Sequence, residues 1–315
     1  MLSDFDTILT AEASRMKANQ ITFPFTVDVE DGINIAMRDH FNIEMEPTRR
    51  GADNTARLLD LFAKYDVKTT FFILGQIATS FPDLVKRIEE EGHEVAVHGY
   101  DHVQFFKLTP LQLKEDLYRA KNTIEGVIGK EVGGFRAPAF SVIPSTAWAL
   151  NIIAEMGFKY DSSIMPAKVG RYGWPGFSEA IQRLHLTNGL QLIEVPLTVT
   201  RILGRSLPVG GGGYLRLFPF WFTRQALRKR QNGHAPVVYI HPYEIDTQRY
   251  PEYFYQALKA SSLKKQLLLK SIRFRKETVM SKVEKLLNLF TFDRMDMVLA
   301  NHMSTVDLPE TVIDG

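Results

Sequence analysis

Hydrophobic and polar residues follow two repeating patterns between Ile21 and Asp246. Short runs rich in β-branched and aromatic residues predict strands, and longer segments with apolar residues three or four positions apart predict helices. The predicted strands are ITFPFTVDV, VKTTFFIL, HEVAVH, GGFRAP, FKYDSS, LQLIEVPLT and APVVYIHP. The predicted helices span 54–65, 83–91, 110–128, 145–156 and 218–231.

Strands that alternate with helices of this length favour a parallel sheet with the helices outside it. Seven strands in this order are typical of a (β/α) barrel or of a doubly wound sheet, so the predicted fold class is α/β. A chain of 315 residues is long enough for one such domain with an elaborated end.

The pattern changes after Asp246, where residues 250–290 are predicted to be helical and basic. The basic residues of this region are Lys264, Lys265, Lys270, Arg273, Arg275, Lys276, Lys282 and Lys285. The favoured interpretation is a helical extension that packs its apolar face on the barrel, and the alternative is an amphipathic surface that contacts anionic lipid. We predict an N-terminal segment over 1–20, a barrel over 21–248 and a mainly helical extension over 249–315.

Composition narrows the classes of function. A hydrophobic fraction of 45% and a charged fraction of 23% are typical of a globular protein, and a net charge of +2 does not favour nucleic-acid binding. The chain has no cysteine, so any metal is expected on His, Asp or Glu. The first 20 residues lack the apolar core of a signal peptide, and no window approaches the ~18 apolar residues of a membrane span. We therefore expect a soluble cytoplasmic protein, with the basic C-terminal helices as the region for peripheral contact with the inner face of the membrane.

Polar side chains follow the predicted strands at their carboxyl ends, where parallel α/β folds place their active sites. These residues are Asp28, Glu30 and Asp31 after the first strand, His98, Asp101 and His102 after the third, Arg136 in the fourth, Asp161 in the fifth, and His241, Glu244 and Asp246 after the last. Their shared position predicts one site at this end of the fold.

The stretch HGYDH places His98 and His102 four residues apart. A helix or a tight turn would bring both imidazoles to one face, and a carboxylate from the first strand would add a third ligand. Two histidines and one carboxylate leave a position for water, as in catalytic zinc sites. So short a pattern also arises by chance, and the alternative is a hydrogen-bonded His98 at the end of a buried strand with an exposed His102.

The ordered set VDVED, TTFFILG, HGYDH, FRAPAFS, YDSS and IHPYEID resembles the polysaccharide deacetylase family, the NodB-homology or carbohydrate esterase 4 group, over about 23–246. The stretch GGGGYLRLFP, together with HPYEID and the helical tail, is similar to the branch found in exopolysaccharide biosynthesis loci. The resemblance implies a distorted (β/α)7 barrel of the NodB type with a helical C-terminal extension. It also implies a divalent metal, with Zn2+ expected, and hydrolysis of N-acetyl groups from amino sugars.

The resemblance assigns the metal to His98 and His102 and the role of catalytic base to Asp28. The family's metal-binding aspartate should follow Asp28, but Val29 stands there, so Glu30 or Asp31 must replace it. Glu30 shares a face with Asp28 if the strand runs straight, whereas Asp31 swings inward if the strand breaks toward Gly32. We favour Asp31 as the ligand, because its shorter side chain lies in the loop where the usual ligand lies, and keep Glu30 as the alternative.

Two further roles follow from the same resemblance. Arg136 orients the base, and His241 is the general acid. Asp161 is either the partner that raises the pKa of the His241 imidazole or an N-cap of the segment that follows it. The expected substrate-binding residues are Pro138, Ala139, Phe140 and Tyr214, with a backbone N–H near Ala139 or Phe140 facing the oxyanion and Tyr214 stacking on a sugar.

The expected function is metal-dependent removal of N-acetyl groups from a polysaccharide, a glycan precursor or a lipid-linked sugar. One alternative is a related carbon–nitrogen hydrolase for cyclic imides or lipid-linked formamido sugars. The other is an inactive barrel that only binds glycan. The run Gly210 to Gly213 lacks the G-K-S/T of a phosphate-binding loop, so a flexible or closely approaching loop is expected there.

Overall fold

The computed structural model describes residues 22–170, 172–229, 236–263, 265–267 and 274–314. The predicted N-terminal segment over 1–20 lies outside these residues, as do Lys264, Lys270, Arg273 and the end of the helix predicted over 218–231. The described strands are β1 Phe23–Val29, β2 Thr70–Ile73, β3 Glu94–Val97, β4 Gly134–Phe135, β5 Tyr160–Asp161, β6 Gln182–His185, β7 Gln191–Glu194, β8 Val199–Ile202, β9 Arg205–Pro208, β10 Val238–Ile240, β11 Phe292–Asp293 and β12 Glu310–Val312. The described α-helices are α1 Gly32–Phe41, α2 Arg49–Lys64, α3 Gly75–Ser80, α4 Pro82–Glu90, α5 Pro110–Ile128, α6 Ala149–Glu155, α7 Gly212–Leu217, α8 Phe220–Lys229, α9 Glu252–Lys259, α10 Val279–Leu289 and α11 Met295–Thr305.

Seven parallel strands form the barrel wall in the order β10, β1, β2, β3, β4, β5 and β7. Between β7 and β10 irregular backbone spans the gap: the N–H of Val209 donates to the carbonyl of Thr198 at 3.1 Å, and the N–H of Tyr239 donates to the carbonyl of Gly210 at 3.0 Å. The predicted distorted (β/α)7 barrel is therefore confirmed over the alternative of a doubly wound sheet. β6 pairs antiparallel with β7 outside the ring, and β8 and β9 form a separate hairpin.

Alternate side chains of β1 face the hydrophobic core outside the barrel and the polar interior of the barrel. Phe23, Phe25 and Val27 face outward and pack with residues of the surrounding helices, such as Phe62. The alternate side chains of Thr26 and Asp28 face the barrel interior, as the period of two in a strand requires. Because the whole strand is buried, its polar side chains are held inside the barrel rather than in solvent.

Local signals account for α5 but not for α1. α5 has the predicted bounds, and Thr109 and Gln112 close a capping box at its first turn. α1 was not predicted, because Gly32, interpreted from the sequence as a breaker, is the first residue of this helix. Its N-cap is Asp31, whose carboxylate accepts the N–H of Ile33 at 2.9 Å.

The C-terminal residues join the barrel through strands as well as helices. β11 pairs with β1, and β12 pairs with β6, both in parallel. Lys276 and Lys282, predicted among the basic positions of the extension, are buried rather than exposed. The division at 248/249 stays a prediction. Within the described ranges, no helix has both the length and the apolar character needed to cross a bilayer.

Candidate active site

Glu30 lies between the two histidines of the HGYDH turn. Its Oε1 atom is 3.1 Å from His98 Nε2 and 3.0 Å from His102 Nε2. Burial raises the pKa of Glu30, but the positive charges of His102 and His241 and hydrogen bonds from His102 and His98 outweigh it, so the pKa lies well below its usual range. One carboxylate and two imidazoles thus meet at one point inside the barrel.

A tight turn brings His98 and His102 together. Gly99 and His102 both adopt positive φ, at 79° and 57°, and Arg38 donates to the carbonyls of Asp101 and His102. The backbone carbonyl of Arg136 lies 2.8 Å from His98 Nδ1, which favours a proton on Nδ1. With a metal bound, Nε2 would be the unprotonated ligand nitrogen on the side of Glu30. His102 is 6% exposed, so the alternative with an exposed His102 is wrong.

The chemistry of this donor set fits a divalent metal. One ligand atom from each of Glu30, His98 and His102 lies within 4.8 Å of the others, and all three residues are buried. Two imidazole nitrogens and one carboxylate oxygen form a ligand set of catalytic zinc. Three protein ligands leave a fourth position for water or substrate.

The preference for Asp31 as the third ligand is corrected in favour of Glu30, the alternative. β1 runs straight to Val29, so Glu30 stays on the face of Asp28. Asp31 turns away and accepts the backbone N–H groups of Ile33 and Thr48, at 2.9 Å and 2.5 Å. Burial raises the pKa of Asp31, and these hydrogen bonds offset part of that rise.

Asp28 and Arg136 form a buried ion pair next to this group. The distance from Arg136 Nη1 to Asp28 Oδ1 is 2.5 Å, and both side chains are at most 1% exposed. Arg136 also donates to Thr26 Oγ1 at 2.8 Å and to the carbonyl and hydroxyl of Ser162 at 3.0 Å. With so many acceptors the guanidinium is fixed, and it fixes the carboxylate in turn.

His241 faces the same carboxylates from the end of β10. Its Nε2 atom is 3.7 Å from Asp28 Oδ2 and 3.9 Å from Glu30 Oε1, and its Nδ1 is 3.2 Å from Glu244 Oε2. Burial lowers the pKa of His241, but the charges of Glu30, Glu244 and Asp28 outweigh it and raise the pKa to about 9. The imidazole is therefore protonated near neutral pH in the metal-free protein.

Asp161 does not have either of its two predicted roles. Within the described ranges no hydrogen bond joins it to His241, whose carboxylate partner is Glu244 instead. The segment after Asp161 is not helical, so Asp161 is not an N-cap either. Its carboxylate accepts the Ser163 hydroxyl and pairs with Glu194.

Asp161 and Glu194 form a buried carboxyl pair at the ends of β5 and β7. Burial raises the pKa of Asp161 to about 6, and burial together with the charge of Asp161 raises the pKa of Glu194 well above its usual range. Such a pair shares one proton near neutral pH.

The loop after β4 holds the predicted substrate-binding residues. Ala139 and Phe140 both adopt positive φ, and the Phe140 N–H donates to the carbonyl of Ala137 at 3.1 Å. Of the two backbone donors proposed for the oxyanion, the one on Phe140 is therefore already engaged, which leaves Ala139. Pro138 begins this turn, and the Phe140 ring meets Tyr239 edge to face at 5.1 Å. Tyr214 lies on α7, where it packs on Phe218 with ring centroids 5.9 Å apart.

Parts of the chain are similar to known families and structures. Residues 42–160 match the family model described as polysaccharide deacetylase. This match places residues 42–160 in the polysaccharide deacetylase family. Residues 162–300 match a second family model, described as a domain of unknown function (DUF3473).

Two curated proteins that are named as peptidoglycan deacetylases are similar to part of this chain. A peptidoglycan deacetylase of Helicobacter pylori is 36% identical over 111 residues, which cover 35% of this chain and 36% of that protein. A peptidoglycan-N-acetylglucosamine deacetylase of Bacillus cereus is 29% identical over 163 residues, which cover 51% of this chain and 53% of that protein. The chain thus spans between 36% and 53% of the length of these relatives.

Two solved structures share the fold of this chain. A candidate polysaccharide deacetylase from Mycobacterium smegmatis has a TM-score of 0.62 at 20% identity, over 94% of this chain and 95% of that one. Puue allantoinase has a TM-score of 0.57 at 15% identity, over 90% of each chain. At these identities the similarity concerns the fold alone.

Sequence reasoning missed roles for Glu244, Glu194 and Arg216. Glu244 was visible as an acidic residue three positions after His241, a spacing that lets one carboxylate accept from both the N–H and the ring of His241. Glu194 lies in a predicted strand and Arg216 in the stretch GGGGYLRLFP, but neither pattern indicated a role for the side chain. Their positions depend on how distant parts of the chain meet.

Proposed function

We propose that this chain is a zinc-dependent hydrolase that removes N-acetyl groups from amino sugars of a polysaccharide or its precursor. The observation that carries the proposal is the grouping of Glu30, His98 and His102 beside the Asp28–Arg136 pair and His241. Such a set offers a metal site, a fixed base and a protonated acid within one buried cluster.

Glu30, His98 and His102 would hold the metal, which when bound supplies Lewis-acid polarisation of the amide carbonyl and a lower pKa for water. Arg136 holds Asp28 in place as the base that accepts a proton from the attacking water. The N–H of Ala139 is the backbone donor proposed for the oxyanion. His241, kept protonated by Glu244, donates its proton to the departing amine nitrogen, so the C–N bond breaks to give acetate and a free amino sugar.

An exopolysaccharide or its lipid-linked precursor is the substrate we expect, because GGGGYLRLFP and the C-terminal region are similar to the exopolysaccharide branch. Cytoplasmic location and contact with anionic lipid stay predictions. Lys276 and Lys282 do not support lipid contact, since both are buried and donate to backbone carbonyls.

The test measures acetate release from N-acetylhexosamine oligomers by zinc-loaded protein, with cyclic imides and formamido sugars in parallel. We expect acetate release that stops on chelation and returns with zinc, and a loss of at least about 100-fold in the His98→Gln variant. His185→Gln is the matched control, because His185 lies on β6 beside Glu310, away from the cluster. Turnover of imides alone would point to the related hydrolase. Absence of stoichiometric zinc with unchanged glycan binding in His98→Gln would favour the inactive barrel.

A further inference from the structure

Arg216 is a buried cation without a carboxylate partner among the described residues. Only 7% of the residue is exposed, and in the described parts of the chain no acceptor reaches its buried Nε and Nη1 atoms. No carboxylate of these residues lies within ion-pair distance of its guanidinium. A buried guanidinium in this state destabilises the ligand-free protein, so a role in binding is the natural reason for its presence.

Arg216 lines a cavity that the candidate metal ligands Glu30 and His102 also line. This cavity has a volume of about 300 Å3, and Glu30 and His102 form part of its wall. Arg216 and Gly213 contribute from α7, and Tyr243 and Tyr250 contribute aromatic surface. A group bound to Arg216 would therefore share one cavity with an acyl group held at Glu30 and His102.

Four consecutive glycines allow α7 to begin against β10. A Cβ atom on Gly211 would lie 1.7 Å from the carbonyl oxygen of Tyr239, and one on Gly212 would lie 2.8 Å from the Tyr239 ring. The expected close approach at Gly210 to Gly213 is thus present. It brings the helix that carries Arg216 to the edge of the cavity.

The C-terminal extension holds the other end of α7. The buried Lys282 Nζ donates to the carbonyls of Leu215, Arg216 and Phe218 at 2.9, 3.0 and 2.8 Å. These carbonyls lie at the helix C-terminus, where a cation is favourable. Both ends of the short helix are therefore fixed, and Arg216 has a fixed backbone.

The two carboxylates in the cavity wall are occupied by other groups. Glu30 interacts with His98 and His102, and Glu244 accepts from the backbone and ring of His241. Among the described residues both carboxylates therefore have histidine partners, and no ion pair joins either of them to Arg216. The guanidinium of Arg216 is thus available to a ligand.

We propose that Arg216 binds an anionic group, a carboxylate or a phosphate, on the sugar whose N-acetyl group is removed. The proposal rests on the proposed function, because it takes the bound sugar to be the substrate of the deacetylase. A planar guanidinium forms paired hydrogen bonds with either anion, so it selects acidic or phosphorylated amino sugars over neutral ones. Arg216 is then a specificity-determining residue of the site.

The test is calorimetric binding of three sugars with the same ring to the zinc-loaded protein. The probes are N-acetylglucosamine, its uronic acid with a carboxylate at C6, and its 6-phosphate. We expect one anionic sugar to bind about tenfold or more tightly than the neutral one, and Arg216→Met to abolish that preference. The control is Arg228→Met, which removes the same charge from an exposed position on α8 and should keep the preference. Preference for the uronic acid or for the phosphate identifies the source of the anion.

Melting of the ligand-free protein gives a second readout. Removal of an unpartnered buried charge in Arg216→Met should raise the melting temperature, whereas loss of a structural arginine would lower it. Equal affinity for neutral and anionic sugars, or undiminished anion preference in Arg216→Met, would overturn the proposal. Acetate release from neutral oligomers tests the deacetylase function separately, so selective anion binding without acetate release would contradict only that function.

Discussion

At the scale of single residues, the two adjacent carboxylates after β1 have different tasks. Glu30 continues the inward face of the strand and meets the two histidines, whereas Asp31 begins the next element as the N-cap of α1. The difference arises because successive side chains of an extended strand point to opposite sides. Substitution of Glu30 should therefore change metal binding, and substitution of Asp31 should change stability.

Glu30→Gln should abolish stoichiometric zinc binding and acetate release while the fold is kept, because a neutral amide is a poor zinc ligand. Asp31→Asn should keep zinc but lower the free energy of unfolding by about 1–2 kcal/mol, because one of two accepted N–H groups loses its acceptor. Metal analysis and denaturant unfolding of both variants check this. The reverse pattern, with zinc lost in Asp31→Asn and kept in Glu30→Gln, would restore Asp31 as the ligand.

The sequence was sufficient to place His98, His102 and His241 near Asp28 and Arg136, because strand ends of a parallel barrel meet at one edge. It was insufficient to choose between Glu30 and Asp31, since that choice depends on whether the strand bends after Val29. The roles of these residues stay predictions. The carboxylate that pairs with His241 was missed because Asp161 lies in the family's motif, whereas Glu244 acts through a local turn.

At the scale of elements, the approach of α7 to β10 depends on glycine. Gly211→Ala should lower the free energy of unfolding by about 2 kcal/mol or more, because its Cβ would overlap the backbone of Tyr239 and the helix would have to move. Gly126→Ala is the matched control: Gly126 is exposed within α5, with no atom within 4 Å of the added Cβ. It should stabilise the protein by about 0.5–1 kcal/mol. Denaturant unfolding measures both variants. Equal changes in the free energy of unfolding would show that the close approach of α7 to β10 does not constrain residue 211.

Several of the elements that the sequence missed have no strong hydrophobic period of their own. α1 begins at a glycine, and β11 and β12 are two and three residues long. The two short strands acquire their partners, β1 and β6, only after the barrel has formed. By contrast, α5 carries a capping box and a long apolar face, so its bounds follow from local signals alone.

At the scale of the whole molecule, the C-terminal residues take part in the barrel core. Met295 and Leu299 of α11 pack in the same apolar cluster as Phe72 and Tyr160, and the Met295 N–H donates to Thr70 Oγ1 at 2.7 Å. The extension thus contributes apolar contacts to the barrel core, in addition to the hydrogen bonds that Lys282 donates to the end of α7. Global stability therefore depends on groups at this end of the barrel, including His93 before β3.

His93 should make the stability of the whole protein depend on pH. Its Nδ1 accepts the Thr69 N–H at 3.0 Å, and its ring lies edge to face with Phe71 at 5.1 Å. Burial lowers the pKa of His93 to about 4, with further lowering by the charges of Lys68, Arg294 and Arg87. The unfolded chain, with a histidine pKa of about 6.5, binds more protons between these values. The free energy of unfolding should therefore fall as the pH drops from about 6.5 to about 4, by on the order of 3 kcal/mol from this group.

The contribution of His93 is separable from those of other histidines by comparison with His93→Gln. A glutamine keeps an acceptor for the Thr69 N–H but does not titrate, so the free energy of unfolding of this variant should depend less on pH than that of the wild type. His185→Gln, at a partly exposed position, should keep the wild-type slope. The wild-type slope includes the metal ligands and buried carboxyl groups, and these cancel in the difference between proteins that share them. Parallel pH profiles for His93→Gln and the wild type would show that His93 gains a proton as easily in the folded protein as in the unfolded chain.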